Sequence, residues 1–285
     1  MQGYLRKMRV VDDTPVRYFL RLSDTEVPMN PLIGGEITIT YTGNIACVEC
    51  GRKSKKSYSQ GYCYPCFTRL PQCDLCMMSP TRCHYANGTC RDNAFGERFC
   101  MRPHLVYIAN SSGIKVGLTH QDNIPTRWID QGAVQAVPVY ACATRQQAGF
   151  VEAALTTRLT DRTQWQRMLK AEDPHIDLAA ERARIITEST ADIADLKLRF
   201  GEASIAVAED SDVRTFSFPM TNYPTSVKAI NLDKSRLIRA KLIGIKAQYL
   251  VLDTGVINIR KYGGYEISLD AGPATNDEAS QLSLL

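Results

Sequence analysis

Apolar residues alternate with polar ones most clearly at the two ends of the chain. Residues 16–22 and 36–41 are β-branched and aromatic with partial period-two alternation, which predicts strands. Pro28, Asn30, Pro31, Gly34 and Gly35 mark turns between them, and residues 41–44 mark another. Near the far end, residues 248–252 and 256–259 flank Asp253, Thr254 and Gly255, a hairpin signal, and residues 262–269 follow as a further extended run. From about Val213 through residues 242–245 the alternation is imperfect. Neither β-rich end is large, so the two are expected to share one sheet or small barrel.

The middle reads differently. Residues 105–109 and 114–119 are short β-rich runs around the polar turn 110–113, which predicts a hairpin. Pro125 is suited to open a short helix, and residues 136–141 read as a third strand. Phe150, Val151, Ala154, Leu155 and Leu159 recur at helical spacing and predict one long helix from about Arg145 to Lys170, with Trp165, Met168 and Leu169 on one face. Asp173 and Pro174 break it. Residues 176–200 form one or two polar amphipathic helices, and residues 272–285 have the composition of a disordered tail. The class is α+β. A β-rich segment spans 1–46 and a cysteine-rich module 47–104. A small mixed α/β module with a helical extension covers 105–203, and a β-rich segment 204–271.

At 285 residues there is room for one large domain or two to three small ones. The net charge of +4 is a mild basic bias, compatible with nucleic acid as partner without demanding it. No apolar run is long enough to span a bilayer, and residues 1–7 lack the apolar core of a secretory signal. The expectation is a cytoplasmic protein with no membrane partner and no evident small-molecule cofactor.

That expectation decides how the cysteines are read, because clustered thiols in a reducing compartment bind metal more often than they form disulfides. Nine of the ten cysteines lie between Cys47 and Cys100. Cys47, Cys50, Cys63 and Cys66 have the spacing C-x2-C-x12-C-x2-C, in which each turn aims two thiolates at one centre and two turns complete a tetrahedron suited to Zn²⁺. Gly51, after the first pair, supplies the backbone freedom such a knuckle needs. Arg52, Lys53, Lys55 and Lys56 lie between the pairs, where a phosphate-facing finger carries its cations and where a merely solvated loop also carries them.

Cys73, Cys76, Cys83, His84, Cys90, Cys100 and His104 offer more ligands than a second tetrahedral site needs. Zinc is the first reading, on Cys73, Cys76 and two of Cys83, Cys90 and Cys100, with His84 or His104 able to replace a cysteine. An iron–sulfur cluster on four cysteines is the second. Cys142, in a β-like stretch outside the cluster, is expected in the core.

The order of residues after His104 carries a resemblance. A strand bearing Tyr107, a second strand reading Lys115-Val116-Gly117-Leu118-Thr119, a downstream Arg127 and a helical Glu152 resemble the GIY-YIG nuclease superfamily over about residues 104–160. Over most of its length the chain is also similar to a bacterial family of unknown function, domain-of-unknown-function family 2797. Residues 61–66, 88–92, 126–133 and 244–250 carry that likeness.

The GIY-YIG resemblance implies that Tyr107 helps activate a water and that Arg127 clamps the scissile phosphate. It implies that Glu152 binds one Mg²⁺ or Mn²⁺ and that Gly117 lets the strand pack close. Lys115 stands where that superfamily has its second tyrosine, and His120 is the candidate to supply a general base instead. The function implied is a zinc protein acting on RNA or DNA, as a metal-dependent phosphodiesterase. A non-catalytic nucleic-acid binder and a structural or redox-sensing metalloprotein are the alternatives.

Overall fold

The computed structural model describes residues 1–159, 164–170 and 174–272. The tail expected from composition therefore lies, beyond Gly272, outside the described residues. The strands are β1 (Gln2–Val11), β2 (Arg17–Leu22), β3 (Thr25–Pro28), β4 (Glu36–Ile45), β5 (His104–Asn110), β6 (Ile114–His120), β7 (Gln135–Cys142), β8 (Ile205–Val207) and β9 (Arg214–Thr215). The last four are β10 (Leu237–Lys246), β11 (Tyr249–Leu252), β12 (Gly255–Asn258) and β13 (Tyr265–Ala271). The helices are α1 (Tyr64–Arg69), α2 (Leu75–Met78), α3 (Asn93–Phe95), α4 (Thr126–Asp130), α5 (Arg145–Leu155), α6 (Trp165–Lys170), α7 (Leu178–Glu188) and α8 (Thr190–Phe200). No described helix is long and apolar enough to cross a membrane. The chain divides into two compact units. One takes Met1–Cys63 with the chain from Phe218 onward, the other Tyr64–Ser217.

The first unit is one eight-stranded antiparallel sheet in the order β12-β11-β10-β4-β13-β1-β2-β3, so the two β-rich ends do pair. Leu5, Leu20, Ile37, Ile39, Leu242, Ile267 and Leu269 are all at most 2% exposed and alternate with polar neighbours. β1 escapes the sequence pattern because Arg6, Lys7 and Arg9 interrupt its apolar run. Its register shifts between Arg6 and Arg9, and the Gln248 amide repairs the ladder there. Gln248 Oε1 accepts from the Met8 N–H at 2.9 Å, and Nε2 donates to the Met8 carbonyl at 3.3 Å. Lys246 is fully buried, its ammonium 5.4 Å from the Phe218 ring and 5.5 Å from that of Tyr223.

The second unit holds an antiparallel sheet in the order β6-β5-β7-β8, with β9 also pairing β7. Val106, Ile108, Val116, Leu118, Val137 and Val139 face Ala148, Val151 and Leu155 of α5, Ile185 of α7 and Ile193 of α8. Thr144 caps α5 through a reciprocal pair of bonds with Gln147, which sets where that helix starts.

The single long helix expected from Arg145 to Lys170 is not formed. α5 stops at Leu155, where Thr156 and Thr157 turn their hydroxyls back onto the carbonyls of Ala153 and Ala154 at 2.7 and 2.8 Å. Side chains that compete for helix carbonyls at two successive β-branched positions favour an end there. Cys142 is a core residue, 2% exposed, with its thiol pushed up to about 12 by burial.

Candidate functional site

Two groups of candidate side chains take shape. In the first, the ligand sulfurs of Cys47, Cys50, Cys63 and Cys66 all lie within 4.8 Å of one another, and Cys50 and Cys63 are 3.8 Å apart. That spacing matches four thiolates at zinc–sulfur distance round one ion, roughly 3.8 Å between sulfurs. The local chain is folded for it. Gly51 turns with φ +69°, in the left-handed region, and its N–H donates to the Cys47 carbonyl at 3.0 Å. Burial raises the Cys47 thiol, but backbone N–H groups of Cys50, Cys63 and Glu49 aimed at the sulfur outweigh it and bring it down to about 6. A thiol poised to deprotonate is what a metal ligand requires. Arg52, Lys53, Lys55 and Lys56 are all exposed in the loop between the pairs, and the Lys56 ammonium lies 5.3 Å from the Tyr58 ring centre.

The second group is built on β5 and β6. Tyr107 and Gly117 are directly opposite in register, and a Cβ on Gly117 would stand 2.6 Å from the Tyr107 hydroxyl oxygen. The tyrosine is fully buried, in edge contact with Trp128 at 5.8 Å, and its hydroxyl donates to Gln131 Oε1 at 2.6 Å. Burial pushes its phenol up. Arg127, hydrogen-bonded to it, pulls the other way, and the nearby Glu152 carboxylate adds to the rise. Arg145 in turn feels both Glu152 and Arg127. The structure therefore brings together Tyr107, Gly117, Arg127 and Glu152, widely spaced in sequence, and adds Gln131 and Arg145, which the sequence pattern does not single out. Gln131 does lie inside the stretch 126–133, and that is the signal by which it could have been found.

The remaining residues stand elsewhere. Lys115 is 3% exposed and pairs with Ala109. His120 lies three positions beyond Gly117 on β6. Its ring meets those of His104, at 5.3 Å, and Phe99, at 6.4 Å, and its Nδ1 accepts from the Asp122 N–H at 3.2 Å. His104 bonds through Nδ1 to the Arg102 carbonyl at 2.8 Å, and burial lowers its pKa to about 4, so the ring is neutral at physiological pH. It belongs to neither grouping of potential metal ligands found among the described residues. The other such grouping is Asp74, Cys76 and His84, in which Asp74 already pairs with Arg91 at 2.7 Å and His84 Nε2 lies 3.5 Å from the same carboxylate oxygen.

At the level of class, four converging cysteines make this a mixed α/β protein, built on large antiparallel sheets, that can hold a metal ion in a knuckle. The chain belongs to the family described as protein of unknown function DUF2797, whose model matches residues 34–267, a span that contains both groups of side chains. No curated protein and no solved structure matches it.

Proposed function

We propose that the protein acts on nucleic acid through a GIY-YIG-like site, as a phosphodiesterase that also carries a structural zinc knuckle. The observation that carries this reading is Tyr107 on β5, with Gly117 of β6 packed against it and with Arg127 and Glu152 near enough to act on its phenol. Each residue has a chemical task there. The Arg127 guanidinium is shaped to grip two phosphate oxygens and to offset the charge that develops on them. Glu152 is the carboxylate beside them. One carboxylate suits a Mg²⁺ that takes its other anchor from substrate phosphate, and such an ion, when bound, supplies Lewis-acid polarisation of the phosphoryl oxygen. Gln131 holds the Tyr107 hydroxyl in one direction, fixing it relative to Arg127.

A second reading has its own observation. The Tyr107 side chain is sealed from solvent and its proton is engaged by Gln131, an arrangement suited to a packing role, so the same surface can serve a protein that binds nucleic acid without cutting it. Cleavage of pooled RNA and of single- and double-stranded DNA with Mg²⁺ or Mn²⁺ separates the two. In the nuclease reading, Glu152→Ala and Arg127→Ala each lower the rate by about 100-fold or more with folding and zinc content intact. Cleavage by both variants at the parental rate places the activity elsewhere. Binding without cleavage selects the second reading.

A further inference from the structure

The turns after Cys66 carry a second set of cysteines, and the fold sorts them. Cys76 lies on α2, Cys83 closes the 3-10 turn Pro80–Arg82, Cys90 follows the left-handed Gly88, and Cys100 ends the π-helical turn Gly96–Cys100. All four line one small cavity, with Arg91 and Phe95 also in its wall. They are electrostatic neighbours as well, since Cys83, Cys76 and Cys90 all act on Cys100, and Cys83 and Cys90 act on Cys76. Cys73, which would form a C-x2-C pair with Cys76, ends the preceding 3-10 turn Pro71–Cys73 and is not part of that wall.

The frame around the cavity is fixed, and it carries two guanidinium groups and the Asp74 carboxylate. The first turn of α5 grips the backbone of two cysteines: Arg145 donates to the carbonyls of Cys76, at 3.2 Å, and Met77, at 2.8 Å, and Gln146 donates to that of Cys83 at 3.1 Å. Arg91 is held by Asp74 at 2.7 Å and donates to the carbonyls of Phe67 and Leu70 at 3.2 and 3.0 Å. Asp74 already offsets Arg91, so Arg145 is the guanidinium that acts on Cys76 and Cys100. Four thiolates around a metal core carry net negative charge, which such a group offsets.

We propose that Cys76, Cys83, Cys90 and Cys100 bind an iron–sulfur cluster, distinct from the zinc-type knuckle of Cys47, Cys50, Cys63 and Cys66. The spacing separates the two chemistries. The knuckle uses two C-x2-C turns, each of which pinches a pair of sulfurs onto a single ion. The second set is separated by six, six and nine residues, contains no such pair, and draws every ligand from a separate turn. That arrangement suits a larger inorganic core in which each thiolate has its own iron. Arg145 interacts electrostatically with Cys100 and Cys76 of this set and with Glu152 and Arg127.

The test uses the full chain, purified without oxygen from iron-supplemented cells and then incubated, still without oxygen, with ferric iron, sulfide and dithiothreitol as the reductant. The expected product is brown and bleached by dithionite, with about four iron and four acid-labile sulfide per chain. Cys90→Ser and Cys100→Ser each lose iron, sulfide and colour while keeping the zinc of the first knuckle and their circular dichroism, and Cys73→Ser keeps all of them. A colourless parent protein after reconstitution, with zinc at both centres or at the first alone, overturns the proposal whether or not the variants fold. So does equal iron and sulfide uptake by the parent and by the Cys90→Ser, Cys100→Ser double variant, which marks adventitious binding. None of these readouts uses a nucleic-acid substrate, so this proposal and the nuclease reading fail separately.

Discussion

Cys63→Ser is expected to release the metal from the first knuckle and to unfold the chain between Ala46 and Cys66. The reason is that hydrogen bonds to the chain just before β13, such as Ala46 N–H to the Gly264 carbonyl at 2.8 Å and the Ser57 hydroxyl to the Gly263 carbonyl at 2.9 Å, hold that stretch without an apolar core of its own. Of its residues only Ala46, Cys47, Gly61 and Cys63 are buried, so it has no large apolar side chain with which to make a core. Structural zinc in a knuckle supplies on the order of 10–16 kcal/mol, and losing one of four thiolates forfeits most of it. Trypsin should then cut rapidly at Arg52, Lys53, Lys55 and Lys56, which are exposed in a stretch flanked by the separate Ala46–Lys53 and Tyr58–Tyr62 bridges. Metal analysis should show about one zinc lost per chain. Unchanged zinc content and unchanged resistance to trypsin in the variant would remove the knuckle from the account.

The second large effect is expected from Gly117→Ala, although it adds a single methyl group. That carbon would stand 2.6 Å from the Tyr107 hydroxyl oxygen and 2.7 Å from Cζ, well inside van der Waals distance. The ring has nowhere to go: it is fully buried, it meets Trp128 on one side, and Gln131 holds its hydroxyl at 2.6 Å. Overpacking of this kind costs about 1–3 kcal/mol, and a unit of this size then melts roughly 2–12 °C lower. Any cleavage or binding that depends on the Tyr107–Arg127 pair should fall with it. A variant that melts within about a degree of the parent would mean that the two strands can part without strain.

Some of this architecture is legible in the sequence, for physical reasons. The hairpin of β5 and β6 reads cleanly because its two apolar runs are bounded by a turn that needs Ser112 and Gly113 at positive φ. β1 does not, because its exposed face carries Arg6, Lys7 and Arg9 and its bulge is completed by Gln248, some 240 positions away. The end of α5 at Leu155 is missed because the apolar spacing continues to Leu159 while the threonine hydroxyls break the helix. The spaced set Tyr107, Gly117, Arg127 and Glu152 can be seen as a pattern. Arg145 cannot, since what singles it out is its bonds to backbone carbonyls, and Gln131 is marked only by lying in the stretch 126–133, its bond to the Tyr107 hydroxyl being tertiary. The same limit applies to the later cysteines. Spacing alone pairs Cys73 with Cys76, whereas the fold sets Cys76 among Cys83, Cys90 and Cys100.

That nucleic acid is the partner underlies both functional readings, and its most direct test is equilibrium binding of labelled RNA and of single- and double-stranded DNA at stepped salt concentrations. At least one of them is expected to be bound at about 50 mM salt, with a log affinity that falls linearly with log salt. Replacing Arg52, Lys53, Lys55 and Lys56 together by alanine should make that slope shallower, by roughly one for each phosphate those side chains neutralise. Failure of all three to bind at about 50 mM salt, with zinc content and fold intact, would contradict it.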